Sequence, residues 1–309
     1  SPDGRHVVIH WRTQAGASFL SMLNTGDGTV IPYLGDGPAL FLDWSPDGSS
    51  ALVMGRYTLN WGGKIWLVNA STLDFQSIGV KQDRDTQEVF SASFSPDGTQ
   101  LIYSRRYLDK QGNNMWQLDL ATGESRLLYH TPENVILYVG WSPAGDHIAF
   151  TQWNVMKQTP VFTLGELWVM QPDGTQLTKL GSVVTGYYYS EFLQPQWSRD
   201  GQNILFLLRT DTPRSEELHG LRSNLFQVNV QTGQVEQLTD LHDTTVLAPQ
   251  WGPDNKLTFM VNSMAQPETY QPWLLDLTQR KAQPFVEQGT NRVLGDGLPA
   301  IMAWLPKGE

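Results

Sequence analysis

Six histidines, His6, His10, His130, His147, His219 and His242, are the first candidates for chemistry in this chain of 309 residues. A metal site needs donors that converge, and no His-x-His or His-x-x-His pair occurs. His6 and His10 would share one face of a strand, but about 13 Å apart, too far for one ion. Thiol chemistry is excluded because the chain has no Cys. No Gly-x-Ser-x-Gly elbow marks a serine nucleophile, and no glycine-rich phosphate loop is present. Asp83 and Asp85 flank Arg84, and Asp109 precedes Gly112-Asn113-Asn114, yet neither stretch matches the calcium loop with its terminal Glu. These carboxylates, like Glu216-Glu217, read as solvated loop groups. No catalytic residue, metal or cofactor is expected.

The elements that would position any site come from a recurring phrase. Trp44-Ser45-Pro46-Asp47-Gly48 returns as Phe94-Ser95-Pro96-Asp97-Gly98, Trp141-Ser142-Pro143-Ala144-Gly145 and Trp197-Ser198-Arg199-Asp200-Gly201. Trp251-Gly252-Pro253-Asp254-Asn255 and Trp304-Leu305-Pro306-Lys307-Gly308 continue it in eroded form, and Ser1-Pro2-Asp3-Gly4 opens the chain without the aromatic residue. The spacings are 44, 50, 47, 56, 54 and 53 residues. Such a period belongs to a propeller blade.

Each unit predicts the same four strands. An apolar run such as Ala39 to Trp44 enters the phrase, where Pro presets φ, Asp bonds back to the backbone and Gly takes the left-handed conformation. A second apolar strand follows, as in Leu101-Ile102-Tyr103-Ser104. A variable loop leads to a third strand carrying an aromatic residue, as in Lys64-Ile65-Trp66-Leu67-Val68, and a Thr-Gly or Asp-Gly turn leads to a polar fourth strand. The prediction is all-β: a six-bladed β-propeller of four-stranded antiparallel blades, forming one domain over 1–309. Blades are expected at about 38–80, 88–129, 135–181, 192–239 and 246–287. The ring is expected to close when the strand at 298–304 completes the blade begun by 1–34, which would remove both loose edges.

The aromatic-Ser-Pro-Asp-Gly phrase, in register with a Leu-Trp type third strand, resembles the TolB-like propeller repeat, a WD-like repeat, over essentially the whole chain. The resemblance implies a six-bladed, exported bacterial propeller that holds protein or peptide partners. Similar repeats form the propellers of prolyl-oligopeptidase-type peptidases and of oligogalacturonate-lyase-like enzymes. A carbohydrate-active propeller enzyme and an extracytoplasmic sensor domain of a larger protein are therefore the alternatives. The small α/β domain that precedes the TolB propeller is not in this chain. The histidine cluster through which the lyase-like enzymes bind their metal finds no match.

Propeller geometry divides the loops between two faces. The repeated turns share one, and the variable connections share the other, where binding groups are usually mounted. Nine of the 12 tryptophans occupy repeat positions, before the phrase or on the third strand. The other three, Trp11, Trp61 and Trp153, fall near the second-to-third-strand connections. Arg12, Arg56, Arg105, Arg106 and Arg209 follow second strands, while Tyr187, Tyr188 and Arg292 belong to inter-blade loops. Trp, Tyr and Arg are the residues of recognition hot spots, and arginines could receive a carboxylate through paired bonds. These eleven residues are the predicted ligand-binding set.

Composition narrows the partner. A net charge of −10 disfavours nucleic acid, whose phosphates need a Lys/Arg excess. No run of 18 apolar residues is present, so no direct membrane insertion is expected. A protein or peptide partner, a monomeric state and a periplasmic or extracellular location are expected, with any targeting segment upstream of Ser1.

Overall fold

The computed structural model describes residues 1–12, 18–31, 39–55, 65–78, 88–106, 113–154, 162–186, 194–209, 222–252, 254–263 and 266–284. These form six antiparallel sheets, the blades of a propeller, with no helix among the described residues. Blade 1 holds β1 (His6–Arg12), β2 (Ser18–Asn24) and β3 (Val30–Ile31). Blade 2 holds β4 (Ala39–Trp44), β5 (Ser50–Gly55), β6 (Ile65–Asn69) and β7 (Phe75–Ser77). Blade 3 holds β8 (Glu88–Phe94), β9 (Gln100–Arg106), β10 (Asn113–Asp119) and β11 (Ser125–Thr131). Blade 4 holds β12 (Asn134–Trp141), β13 (Ile148–Asn154), β14 (Phe162–Met170) and β15 (Thr178–Gly186). Blade 5 holds β16 (Gln196–Trp197), β17 (Asn203–Arg209), β18 (Ser223–Asn229) and β19 (Val235–Gln237). Blade 6 holds β20 (Thr244–Trp251), β21 (Lys256–Ser263), β22 (Gln266–Asp276) and β23 (Lys281–Pro284).

Every sheet is a meander in chain order. Blade 1 has three described strands and begins at the second strand of the repeat, as its truncated phrase predicts. The expected closing strand at 298–304 lies outside the described residues.

Among the described residues the core is not one mass but five wedges, each between consecutive blades. Ile102, Met115, Ile136, Val139, Ile148, Phe150 and Met170 fill the junction of blades 3 and 4. Four similar clusters fill the junctions 1–2, 2–3, 4–5 and 5–6. This arrangement explains why second strands read as unbroken apolar runs. In β17, Ile204 and Phe206 face blade 4, while Leu205 and Leu207 face blade 6. Side chains alternate across a strand, so a sheet buried on both faces needs apolar residues at every position. The first strands of blades 2, 3, 4 and 6 instead carry a β-bulge, at Phe41/Asp43, Val89/Ser91, Ile136/Tyr138 and Leu247/Gln250. A bulge bends the strand and tightens its twist, here next to the propeller axis.

In blades 1 to 5 the phrase folds into the same hydrogen-bonded turn. In blade 3, Ser95 Oγ donates to Asp97 Oδ1 at 2.6 Å, and the Gln100 amide donates to Ser95 Oγ at 3.0 Å. The Thr99 amide donates to Asp97 Oδ1 at 3.0 Å. Ser1/Asp3, Ser45/Asp47 and Ser198/Asp200 repeat the serine-to-aspartate bond at 2.6, 2.6 and 2.5 Å. Blade 4 has Ala144 in the aspartate position, and Asp146 takes over, accepting from Ser142 Oγ at 2.7 Å. The serine hydroxyl holds each of these carboxyls below the usual carboxylate range.

Glycine in the phrase meets one demand, of conformation, and marks a contact between blades. At Gly98, Gly145 and Gly201 φ is +72, +74 and +69°, a region costly for other residues. A Cβ at each would also stand 3.5–3.7 Å from the proline of the preceding blade's phrase, Pro46, Pro96 or Pro143. The turns thus abut one another around the disc. Where blade 5 has Arg199 in place of that proline, blade 6 has Asn255 in place of the glycine.

Candidate functional site

All second strands run in the same direction, so their ends define a single face, that of the variable connections. Trp11 and Arg12 end β1, paired with Phe19 and Ser18. Arg105 and Arg106 end β9, opposite Asn114 and Asn113. Trp153 lies one residue before the end of β13, opposite Val135, and Arg209 ends β17 opposite Ser223. These six predicted residues therefore stand inside strand ends rather than in the loops after them. Four blades bring them to one face. Arg56, Trp61, Tyr187, Tyr188 and Arg292 lie outside the described residues.

Arg105 differs from the expectation of an accessible hot spot, since it is only 5% exposed. It belongs to a buried polar shelf with Asn113, Asn114 and Thr131. Trp153 is half-buried, and its indole N–H is enclosed by the protein.

The shelf ties blades together. Asn113 Nδ2 donates to the Asn134 carbonyl of blade 4 at 2.8 Å, and Asn114 Oδ1 meets His130 Nδ1 at 2.6 Å. Blade 5 repeats the device two blades on. Ser223, at the position of Asn113, donates to the Val246 carbonyl and accepts from the Val246 amide, both at 3.0 Å. Asn224, at the position of Asn114, accepts from Thr239 Oγ1 and the Leu241 amide, each at 2.8 Å, and donates to the Leu241 carbonyl at 3.2 Å. Arg222 meets Asp243 at 3.0 Å across the connection to blade 6. Sequence reasoning missed these clamps. Their signal is a polar pair directly before the apolar third strand, Asn113-Asn114 and Ser223-Asn224.

A second polar region lies along the axis, where the first strands of blades 2, 3 and 4 pack side by side. Asp43 Oδ2 accepts from Ser93 Oγ at 2.9 Å and from the Phe94 amide at 3.0 Å, reaching from blade 2 to blade 3. Its Oδ1 accepts from the Trp44 amide at 2.8 Å. Burial pushes the Asp43 carboxyl up to about 6, against these three donors. Tyr138, from β12, is pushed above the usual phenol range by burial and by the Asp43 charge. Its ring lies over Gly140, where a Cβ would collide with the phenol oxygen. The signal for this region is the residue directly before each aromatic: Asp43, Ser93, Gly140, Gln196 and Gln250.

Among the described residues, no three His, Cys, Asp or Glu side chains stand close enough to hold a metal ion. No described helix is long and apolar enough to cross a membrane.

No protein-family model matches the sequence, and no curated protein matches it. Solved structures do match the fold. An oligogalacturonate lyase from Vibrio parahaemolyticus superposes with TM-score 0.63 at 13% identity, covering 96% of this chain and 78% of the lyase. A putative TolB from Agrobacterium tumefaciens gives 0.57 at 19% identity, covering 91% and 88%. TolB from Acinetobacter baumannii gives 0.54 at 15% identity, covering 86% of this chain and 63% of TolB. At such identities the likeness speaks to fold alone. This chain is a six-bladed β-propeller with the fold shared by TolB proteins and oligogalacturonate lyases.

Proposed function

We propose that this propeller is a non-enzymatic scaffold of the bacterial envelope, TolB-like in its work, that docks a protein or peptide on the variable face. The observation that carries this reading is the convergence at the second-strand ends. Trp11 and Arg12, Arg105 and Arg106, Trp153 and Arg209 come from four blades to one side of a disc tied together by turns and clamps. Rigid presentation lowers the ordering cost of binding, and Trp and Arg are the usual anchors. The opposite face offers little to a partner, because its serine and aspartate groups bond to one another within each turn. Arg105 in this reading braces the surface from beneath, and Arg56, Trp61, Tyr187, Tyr188 and Arg292 supply the contacts.

The test is capture of a partner from an envelope fraction by the purified protein. Arg56→Ala with Trp61→Ala should lose the captured protein, while Glu124→Ala on the turn face should retain it. Equal capture by both variants would remove the variable face from the proposal. Turnover of an oligogalacturonate, with or without added manganese, would overturn the non-enzymatic reading.

A further inference from the structure

Asp43 is a joint between two blades. Its own backbone belongs to β4 of blade 2, yet two of its three donors, Ser93 Oγ and the Phe94 amide, belong to β8 of blade 3. The corresponding residues of the next four blades are Ser93, Gly140, Gln196 and Gln250, none of them a carboxylate. The Ser93 hydroxyl also has a second acceptor in reach, the Phe94 carbonyl oxygen at 3.4 Å. A carboxylate in this place needs donors when ionised and one acceptor when neutral. The local geometry supplies both.

We infer that Asp43 and Ser93 form a proton-operated clasp between blades 2 and 3, in which the serine hydroxyl reverses its direction when the carboxylate takes up a proton. In the ionised state the Ser93 hydroxyl donates to Asp43 Oδ2. A proton from solvent then binds Oδ2, the new O–H donates to Ser93 Oγ, and the serine hydrogen turns to the Phe94 carbonyl. No heavy-atom bond breaks, and the only species taken up is the proton. The clasp spans the seam in both states, so the axial wall registers pH without coming apart.

The surroundings favour this residue as the group that titrates. Strands β5 and β2, packed against β4, carry no ionisable side chain. Strand β8 carries Glu88 at its far end, about 20 Å along the strand from Phe94. Strand β1 carries His6, His10 and Arg12, with the His6 ring 6.4 Å from the Trp44 ring. Strand β12 carries Tyr138, whose proton is held more tightly in the presence of the Asp43 charge. Burial supports the neutral acid, with the carboxyl near 6.

The experiment follows side-chain carboxyl carbons of the intact protein by NMR from about pH 4 to 8, after sequential backbone assignment. Asp43 should titrate with a midpoint near 6, and the Phe94 amide should shift with the same midpoint. A midpoint at or below the ordinary 3.8, or a Phe94 amide that ignores the titration, would overturn the clasp. Urea unfolding gives a second readout. Wild-type stability should fall as pH rises from about 4 to 6, because the folded state then holds a proton that the unfolded chain has released. Asp43→Asn should abolish that fall and His6→Gln should keep it. An unchanged slope in Asp43→Asn, or its loss in His6→Gln, counts against Asp43.

Discussion

The two faces of this propeller solve the same problem by different means. On the turn face, neighbouring blades meet through one repeated phrase, whose serine and aspartate groups satisfy each other within five or six residues. On the variable face, neighbours meet through clamps such as Asn113 to Asn134 and Ser223 to Val246, which cross 21 and 23 residues of chain. Local bonding can be copied from blade to blade because it depends on nothing else. The clamps differ between blades because each must fit its own connection. A face that varies in this way can acquire recognition without disturbing the repeat that holds the disc together.

Carboxyl groups show the same contrast with opposite sign. The turn aspartates are held below their usual range, so their contribution is complete above about pH 4 and fades as pH falls through the folded-state value. Asp43, on the axis, is held above it, so its contribution is complete below about pH 4 and fades as pH rises toward 6.

Four substitutions test how far the contrast extends. The largest effect is expected at Gly174, in a turn of blade 4 that leans on blade 3. Its φ is +89°, and a Cβ there would come within 2.6 Å of the Leu128 carbonyl oxygen, a backbone atom that cannot yield. Gly174→Ala should cost about 3 kcal/mol in chemical unfolding. A cost below about 1 kcal/mol would mean that the turn face tolerates movement between blades. On the variable face, Asn224→Ala should cost about 2 kcal/mol, because it leaves the buried Thr239 hydroxyl and the Leu241 amide without their acceptor. If the loss is negligible, the Asn224 bonds are dispensable and the seam of blades 5 and 6 rests on Ser223, Arg222 and apolar packing. The smallest effect sharpens the turn rule. Asp146→Ala should cost about 1 kcal/mol or less near neutral pH, and Ala144→Asp in the same chain should restore it. Restoration would show that the serine hydroxyl needs a carboxylate and not a particular sequence position. Failure would show that His147, 3.1 Å from Asp146, depends on this carboxylate too.

The blade repeat was legible because a turn is coded by the residues within it. Ser, Pro, Asp and Gly in that order select one backbone path, and the apolar runs beside them announce strands buried on both faces. Even the erosions at Arg199 and Asn255 were visible in the sequence. Of the recognition set, the sequence could not give the depth of a side chain. Arg105 reads as a surface arginine and is buried, because burial depends on what the neighbouring blade sets above it.

What the chain alone determined is therefore the unit and its multiplicity: six copies of a four-strand meander, each written in short-range turn chemistry and alternating apolar strands. What only the folded molecule decided is which polar groups meet across the seams. Asp43 and Ser93 are 50 residues apart, and the Asn113 side chain reaches the Asn134 backbone only once blades 3 and 4 have packed. Contacts between blades are made by surfaces that no local stretch contains. Their energetics depend on desolvation, which exists only after the wedges between blades have closed.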